Sequence, residues 1–234
     1  MRILLLGGTR EALVLAFRLK TQHQVIYSLA GATRSPAKPP GLEVRVGGFG
    51  GAEGLSRFLT ERQFDVIVDS THPFAAQISL NARQMSVPVL RLERPAWSPQ
   101  PGDRWTRVPH LKAALERLKH HKGPIALALG RGGEPLAKRL GKRAVLRRWQ
   151  PDLRLDNLAH ELAWLKSLRP AILVTKNSGG IAAAKLEAAR QLKIPVMMID
   201  RPRPTKGRRF DNIDALIAAI EAHTTTLTPT GASV

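Results

Sequence analysis

The sequence predicts an α/β protein of two doubly wound parallel-sheet domains whose strand carboxyl ends face one cleft. Three observations predict it. Arg2-Ile3-Leu4-Leu5-Leu6 is an apolar run that enters a Gly7-Gly8-Thr9 turn and then a helical segment with Leu13, Phe17 and Leu19. Ile172 to Val174 reads as a second buried strand, followed by a polar loop, the break at Gly179-Gly180 and an alanine-rich helix. The chain also matches itself. A shift of 107 positions without a gap lays Phe64-Asp65-Val66-Ile67-Val68 over Ala171-Ile172-Leu173-Val174-Thr175. The same shift lays Val87 through Pro95 over Ile194 through Pro202, with apolar, acidic, arginine and proline positions in register, so two related halves are expected.

The totals bound the class. At 234 residues and 43% hydrophobic content the chain can bury a large core and is not generally disordered. Without cysteine it can hold no disulfide framework, thiol nucleophile or Cys-ligated metal, which fits a reducing cytoplasm; no metal site is expected. Ile3 to Leu6 is too short for a signal-peptide core, and no apolar run reaches membrane-spanning length, so a cytoplasmic protein without membrane partners is expected.

The formal charge of +19 attracts polyanions. Residues 101–150 alone carry 13 Lys/Arg against 3 Asp/Glu. Specific nucleic-acid recognition is not indicated: there is one tyrosine, no zinc-finger or recognition-helix signature, and the arginines are spread over α/β elements. A polycarboxylate or phosphate ligand accounts for the charge equally well.

Taken in order, the first turn is a shortened dinucleotide (Rossmann-like) fingerprint. Its glycines let backbone approach a pyrophosphate, and the helix start behind them supplies N–H donors, although the full G-x-G-x-x-G spacing is not met. The second strand, Gln24 to Leu29, lacks the acidic residue that an NAD-preferring site offers to the ribose. Ser28, Thr33 and Arg34 offer hydroxyls and a guanidinium suited to a 2′-phosphate, which points to NADPH, with NADH as the alternative. Leu42 to Val46 alternates like a strand and ends in Gly47-Gly48-Phe49-Gly50-Gly51. That loop either wraps a flat ligand with the ring packed on it or plugs the core with Phe49. A helix to Arg62 and a strand from Phe64 to Asp69 follow, closing in Ser70-Thr71-His72, where His72 lies at a strand's carboxyl end.

Residues 98–104 read as a linker and Leu111 to Lys119 as an amphipathic helix. Ile125 to Arg131 repeats the strand-to-glycine turn, with Glu134 placed after Gly130 much as Glu11 follows Gly7. Thr175, Lys176, Asn177 and Ser178 then face the cleft from a strand end. Thr224 to Val234 is small, polar and expected to be disordered. The expected domains are 1–97 and 98–223, with 224–234 as the tail.

In sequence order, L-L-L-G-G-T-x-E, S-L-A-G, V-R-V-G-G-F-G-G, D-S-T-H-P-F-A-A-Q, L-R-L-E-R-P-A-W, V-T-K-N-S-G-G and A-K-L-E-A-A-R closely resemble the precorrin-6A (and cobalt-precorrin-6A) reductase family of cobalamin biosynthesis. The resemblance covers nearly residues 1–97 and again 171–204. It implies an enzyme that takes hydride from a reduced nicotinamide nucleotide and saturates one double bond of a tetrapyrrole, whose acetate and propionate carboxylates suit the basic charge. It implies nucleotide contacts from Gly7, Gly8, Thr9, Glu11, Ser28, Gly31, Arg34, Gly48, Phe49, Gly50, Ser70, Thr71 and His72. Substrate contacts would come from Lys176, Asn177, Ser178, Gly179, Gly180 and Lys185. His72, Lys176 or water would supply the proton. Other cobalamin-pathway enzymes are then candidate partners. One departure stands out: Trp149 to Pro170 lacks the strand ending in R-G-P-F that the family carries there. A short-chain-dehydrogenase mechanism is disfavoured, since the one tyrosine, Tyr27, lies on the second strand rather than in a Tyr/Lys pair. The remaining alternative is a non-catalytic basic module that binds nucleotide or nucleic acid.

Overall fold

The computed structural model describes residues 1–31, 39–147, 157–181, 183–202 and 207–227. They form two compact units, Met1–Arg94 with Pro204–Val234, and Pro95–Arg203. In chain order the first unit runs β1 (Arg2–Leu6), α1 (Arg10–Leu19), β2 (Gln24–Leu29), β3 (Glu43–Val46), α2 (Gly51–Arg62), β4 (Val66–Asp69), α3 (Ala76–Ala82) and β5 (Val89–Leu92). The second runs β6 (Trp105–Val108), α4 (Leu111–Lys119), β7 (Ile125–Ala128), α5 (Glu134–Leu140), β8 (Ala144–Leu146), α6 (Leu158–Leu168), β9 (Ile172–Lys176), α7 (Ala184–Gln191) and β10 (Val196–Ile199). The chain then returns to the first unit with β11 (Arg208–Phe210) and α8 (Ile213–Leu227). Among the described residues no helix is long and apolar enough to cross a membrane.

Each unit is built on one sheet, and every strand pair in both is parallel. A parallel sheet is covered on both faces, which is why β1 and β4 are near-continuous apolar runs. Ile3, Leu5, Val66, Val68, Leu90 and Leu92 point to one face of the first sheet, and Leu4, Leu6, Ile26 and Ile67 to the other. α1 lays Ala12, Leu15, Ala16 and Leu19 on the first face, an i, i+3, i+4, i+7 stripe, and α2 lays Leu55 and Leu59 on the second. In the other unit Ala126, Leu173, Val196 and Met198 pack against Leu165 of α6 and Leu186 of α7.

The expected repeat is present in three dimensions. The first sheet has the order β11-β5-β4-β1-β2-β3 and the second β6-β10-β9-β7-β8. β5 therefore corresponds to β10, β4 to β9, β1 to β7 and β2 to β8. The edge strands are exchanged between the halves: β6 follows β5 in sequence yet pairs with β10, while β11 follows β10 and pairs with β5. The helices go with them. α8 sets Leu216 and Ile220 into the core of the first unit, and α4 packs on β6 and β10.

This exchange corrects the expected boundaries. The second unit starts at Pro95 and ends at Arg203, not at 98 and 223, because the strand and helix after β10 complete the other sheet. The stretch after residue 104 contains β6, which sequence reading passed over. The expected tail also begins too early, since α8 continues through Leu227; residues 228–234 lie outside the described residues.

Candidate active site

In the first unit the turn after β1 is shaped by β2. Gly7 N–H donates to the Ser28 carbonyl at 2.8 Å. A Cβ at Gly7 would fall 2.3 Å from the Tyr27 ring, so glycine is required there. Gly8, at φ +110°, donates its N–H to the Tyr27 hydroxyl at 3.1 Å. Thr9 caps α1 by accepting from Ala12 N at 3.0 Å, and its hydroxyl donates to the Ser70 carbonyl at 3.1 Å. Thus the loops after β1 and β4 are tied side by side at the strand carboxyl ends, next to the electropositive start of α1. Glu11, in the first turn of that helix, is held 3.0 Å from Arg94.

The loop after β4 is fixed from beneath by a buried network. Asp69 accepts from Thr71 N at 3.1 Å and Thr71 Oγ1 at 2.7 Å. Its other oxygen pairs with Arg91, whose guanidinium also donates to Ser79 Oγ at 2.7 Å and to Glu93 at 2.8 Å. Asp69 and Arg91 are 1% and 5% exposed. Burial disfavours the Arg91 charge, but Asp69 and Glu93 together outweigh it and hold its pKa above the ordinary arginine value. His72 Nδ1 accepts from Phe74 N at 3.2 Å, so its lone pair is engaged and the neutral ring carries its proton on Nε2, as a donor.

In the glycine loop after β3 the partly buried Phe49 ring packs 5.4 Å from Phe58 against the core, with the Arg45 guanidinium 3.9 Å above it, the contacts expected of a plug. Arg45 also donates to the Gly48 carbonyl at 2.8 Å. Gly50, at φ +78°, leads into the first turn of α2 without a side-chain cap. Gly31 closes β2 at φ +71° beside Val46, and Ser28 is buried there. Arg34 lies outside the described residues.

In the second unit the turn after β7 is a single 3₁₀ turn, Gly130–Gly133, running into α5. Lys176, at the end of β9, reaches over it: a Cβ at Gly132 would fall 2.9 Å from the Lys176 Nζ. Burial lowers the Lys176 pKa from its ordinary 10.5. The loop that follows is bolted to Pro95–Trp97. Asn177 Oδ1 accepts from Trp97 N at 2.8 Å and Asn177 Nδ2 donates to Trp97 O at 3.0 Å. Trp97 Nε1 donates to the Gly180 carbonyl at 2.7 Å. Arg201 donates to the carbonyls of Asn177, Ser178 and Pro95 at 2.9, 3.0 and 3.2 Å. Gly179, at φ +67°, is pressed so closely that a Cβ would lie 2.0 Å from the Pro95 carbonyl oxygen.

The chain as a whole has known relatives. The family model described as precorrin-6x reductase CbiJ/CobK matches residues 2–155 and 155–221. The chain belongs to the precorrin-6x reductase family. It is similar to the precorrin-6A reductase of Rhodococcus erythropolis, 41% identical over 93% of this chain and 96% of that one. It is similar to that of Rhodobacter capsulatus, 40% identical over 86% and 88%. A cobalt-precorrin-6A reductase from Priestia megaterium is 27% identical over 93% and 97%. Among solved structures, CobK precorrin-6A reductase superposes with a TM-score of 0.85 at 34% identity, covering 99% of this chain and 100% of that one. Membership of a reductase family leaves the non-catalytic reading without support.

In this member of the family, Gly7, Gly8, Thr9, Ser28, Ser70 and Thr71 come together in one unit, and Lys176, Ser178, Gly179 and Gly180 share one loop in the other. Two of the expected substrate residues have partners within their own unit. The Asn177 carboxamide is engaged with Trp97 on both its atoms, which clamps the loop. The Lys185 ammonium lies 4.3 Å over the Trp97 ring. Tyr27, Asp69, Arg91 and Arg201 were missed as site-building residues. For Arg201 a signal existed, because the repeat sets it in register with Arg94.

Proposed function

We propose that the protein reduces one double bond of precorrin-6A, or of its cobalt form, with hydride from NADPH, as a cytoplasmic step of cobalamin biosynthesis. One observation carries the assignment of roles. Both sheets end in a glycine turn at the same topological place; beside the first stands Asp69, neutralised by Arg91, and beside the second stands Lys176. The first turn suits a dinucleotide on the N-terminus of α1. The second offers a cation to a ring that carries several carboxylates.

In this reading Gly7, Gly8, Thr9, Ser28, Gly31 and Arg34 hold phosphates and ribose, with Glu11 acting through its ion pair with Arg94. Gly48, Gly50, Ser70, Thr71 and His72 hold the remainder of the cofactor. Lys176, Ser178, Gly179, Gly180 and Lys185 face the macrocycle. The reduced nicotinamide, when bound, supplies the hydride. The chain orients the two ligands, neutralises carboxylates and delivers the balancing proton. Lys176, whose pKa is lowered by burial, and the His72 Nε2–H are the two candidate donors. The absent acid after β2 favours NADPH over NADH.

Anaerobic incubation with NADPH and each form of the tetrapyrrole tests the proposal. Nucleotide oxidation with a gain of two hydrogens in product mass is the expected result; no gain with either form defeats it.

A further inference from the structure

Tyr27 is the one tyrosine of the chain, 3% exposed, on β2. Its hydroxyl oxygen accepts the Gly8 N–H at 3.1 Å, and its proton has no acceptor among the described residues. A phenol is both donor and acceptor, and a buried one ordinarily uses both. Here only the acceptor side is satisfied. The position of this leftover donor is informative. In a glycine turn that leads into a helix, the second glycine's N–H is a natural partner for a pyrophosphate. In this chain that N–H is occupied by Tyr27, so the turn has lost one backbone donor and gained one phenolic O–H in its place. Glycine at position 7 leaves room for this oxygen, since a Cβ there would fall 2.6 Å from it. Burial raises the phenol pKa, partly offset by the Gly8 N–H, so the proton is retained at neutral pH.

We infer that the Tyr27 hydroxyl donates directly to the diphosphate of the bound nicotinamide nucleotide, standing in for the Gly8 N–H that it occupies. The inference rests on the reading that the Gly7–Thr9 turn binds the nucleotide, and it adds a contact to that site. Its side chain comes from the strand that conventionally contributes only a ribose-binding residue.

Because the 234 residues hold one tyrosine, biosynthetic 3-fluorotyrosine labels this position alone. Its ¹⁹F resonance is expected to shift with NADPH and with ADP, and to stay in place with adenosine, which lacks the diphosphate. Tyr27→Phe keeps the ring against Gly7 and removes only the hydroxyl. It is expected to weaken NADPH and ADP by on the order of 10-fold or more, the scale of a hydrogen bond to a charged group, with adenosine unchanged. Equal ADP affinity for Tyr27→Phe and wild type would overturn the inference. So would an unmoved resonance on ADP binding, even beside a weakened variant, because the hydroxyl would then act only through the shape of the turn. Should wild-type protein bind neither NADPH nor ADP, the nucleotide reading itself fails and this inference with it.

Discussion

Asp69 and Lys176 stand at equivalent places in the two copies of one strand–loop–helix unit and carry opposite charge. Each lies at the end of the strand beside the glycine turn, β4 next to β1 and β9 next to β7. The partner differs as well: Arg91, which neutralises Asp69, is matched after the 107-residue shift by Met198, which is fully buried. One copy has thus closed its charge into the core, and the other has turned it toward the loop.

Lys176→Ala is expected to leave NADPH affinity unchanged and to lower kcat/KM for the tetrapyrrole by ~2–4 kcal/mol, the cost of removing one partner of a partly desolvated charge pair. Lys176→Met should match it if the ammonium matters rather than the packing. The two variants also report on the pH dependence. Because the folded pKa of Lys176 is below 10.5, the unfolded chain binds more protons between the folded value and 10.5. Stability therefore rises with pH across that window. Lys176→Met should melt higher than wild type at neutral pH, with the difference shrinking as pH approaches 10.5. If Lys176 is the proton donor, kcat/KM falls with a midpoint below 10.5 in a steady-state pH profile.

Arg34→Ala should weaken NADPH more than NADH, by the ~1.5–3 kcal/mol of a hydrogen bond to a charged group. Parallel fluorescence titrations with the two nucleotides check this, and equal losses would remove Arg34 from the 2′-phosphate site.

Asp69→Ala strands the buried Arg91 charge and should cost ~3–5 kcal/mol in urea unfolding. It should also raise KM for NADPH, since Thr71 loses both its bonds to Asp69. Combining Asp69→Ala with Arg91→Met should recover part of that stability without restoring KM. The second copy already carries methionine at that position.

Two glycines separate structural from ligand-binding roles. Gly179→Ala forces a side chain against the Pro95 carbonyl at φ +67° and should destabilise by on the order of 3 kcal/mol or more. Gly48 has open space at its Cβ position and no positive φ. Gly48→Ala should leave the melting temperature nearly unchanged while weakening nucleotide binding. Differential scanning fluorimetry with and without NADPH reads both effects.

What was legible in the sequence follows from locality. Buried parallel strands announce themselves as apolar runs, and β5 and β10 fall at the shift of 107 that the repeat gave. α4 has the bounds its amphipathic spacing indicated. The edge strands had no such signal: in Trp105–Val108 only Val108 is buried, and Arg208–Phe210 opens on two exposed arginines. Their exchange between the halves was therefore hidden. The threonine-rich end of α8 has weak helix propensity and read as tail. The Asn177–Trp97 clamp was hidden because its partners lie 80 residues apart. The Arg91–Asp69 pair was hidden in the same way, 22 residues apart.

The exchanged strands also set an order of completion during synthesis. The second unit occupies one unbroken stretch, Pro95–Arg203, and its whole sheet is available once that stretch has left the ribosome. Most of the first unit precedes that stretch, yet the outer side of β5 stays unpaired and its core lacks Leu216 and Ile220 until β11 and α8 emerge. Nascent domains ordinarily finish in the order they start. Here the amino-terminal unit must wait, with an open sheet edge, until β11 and α8 have been made.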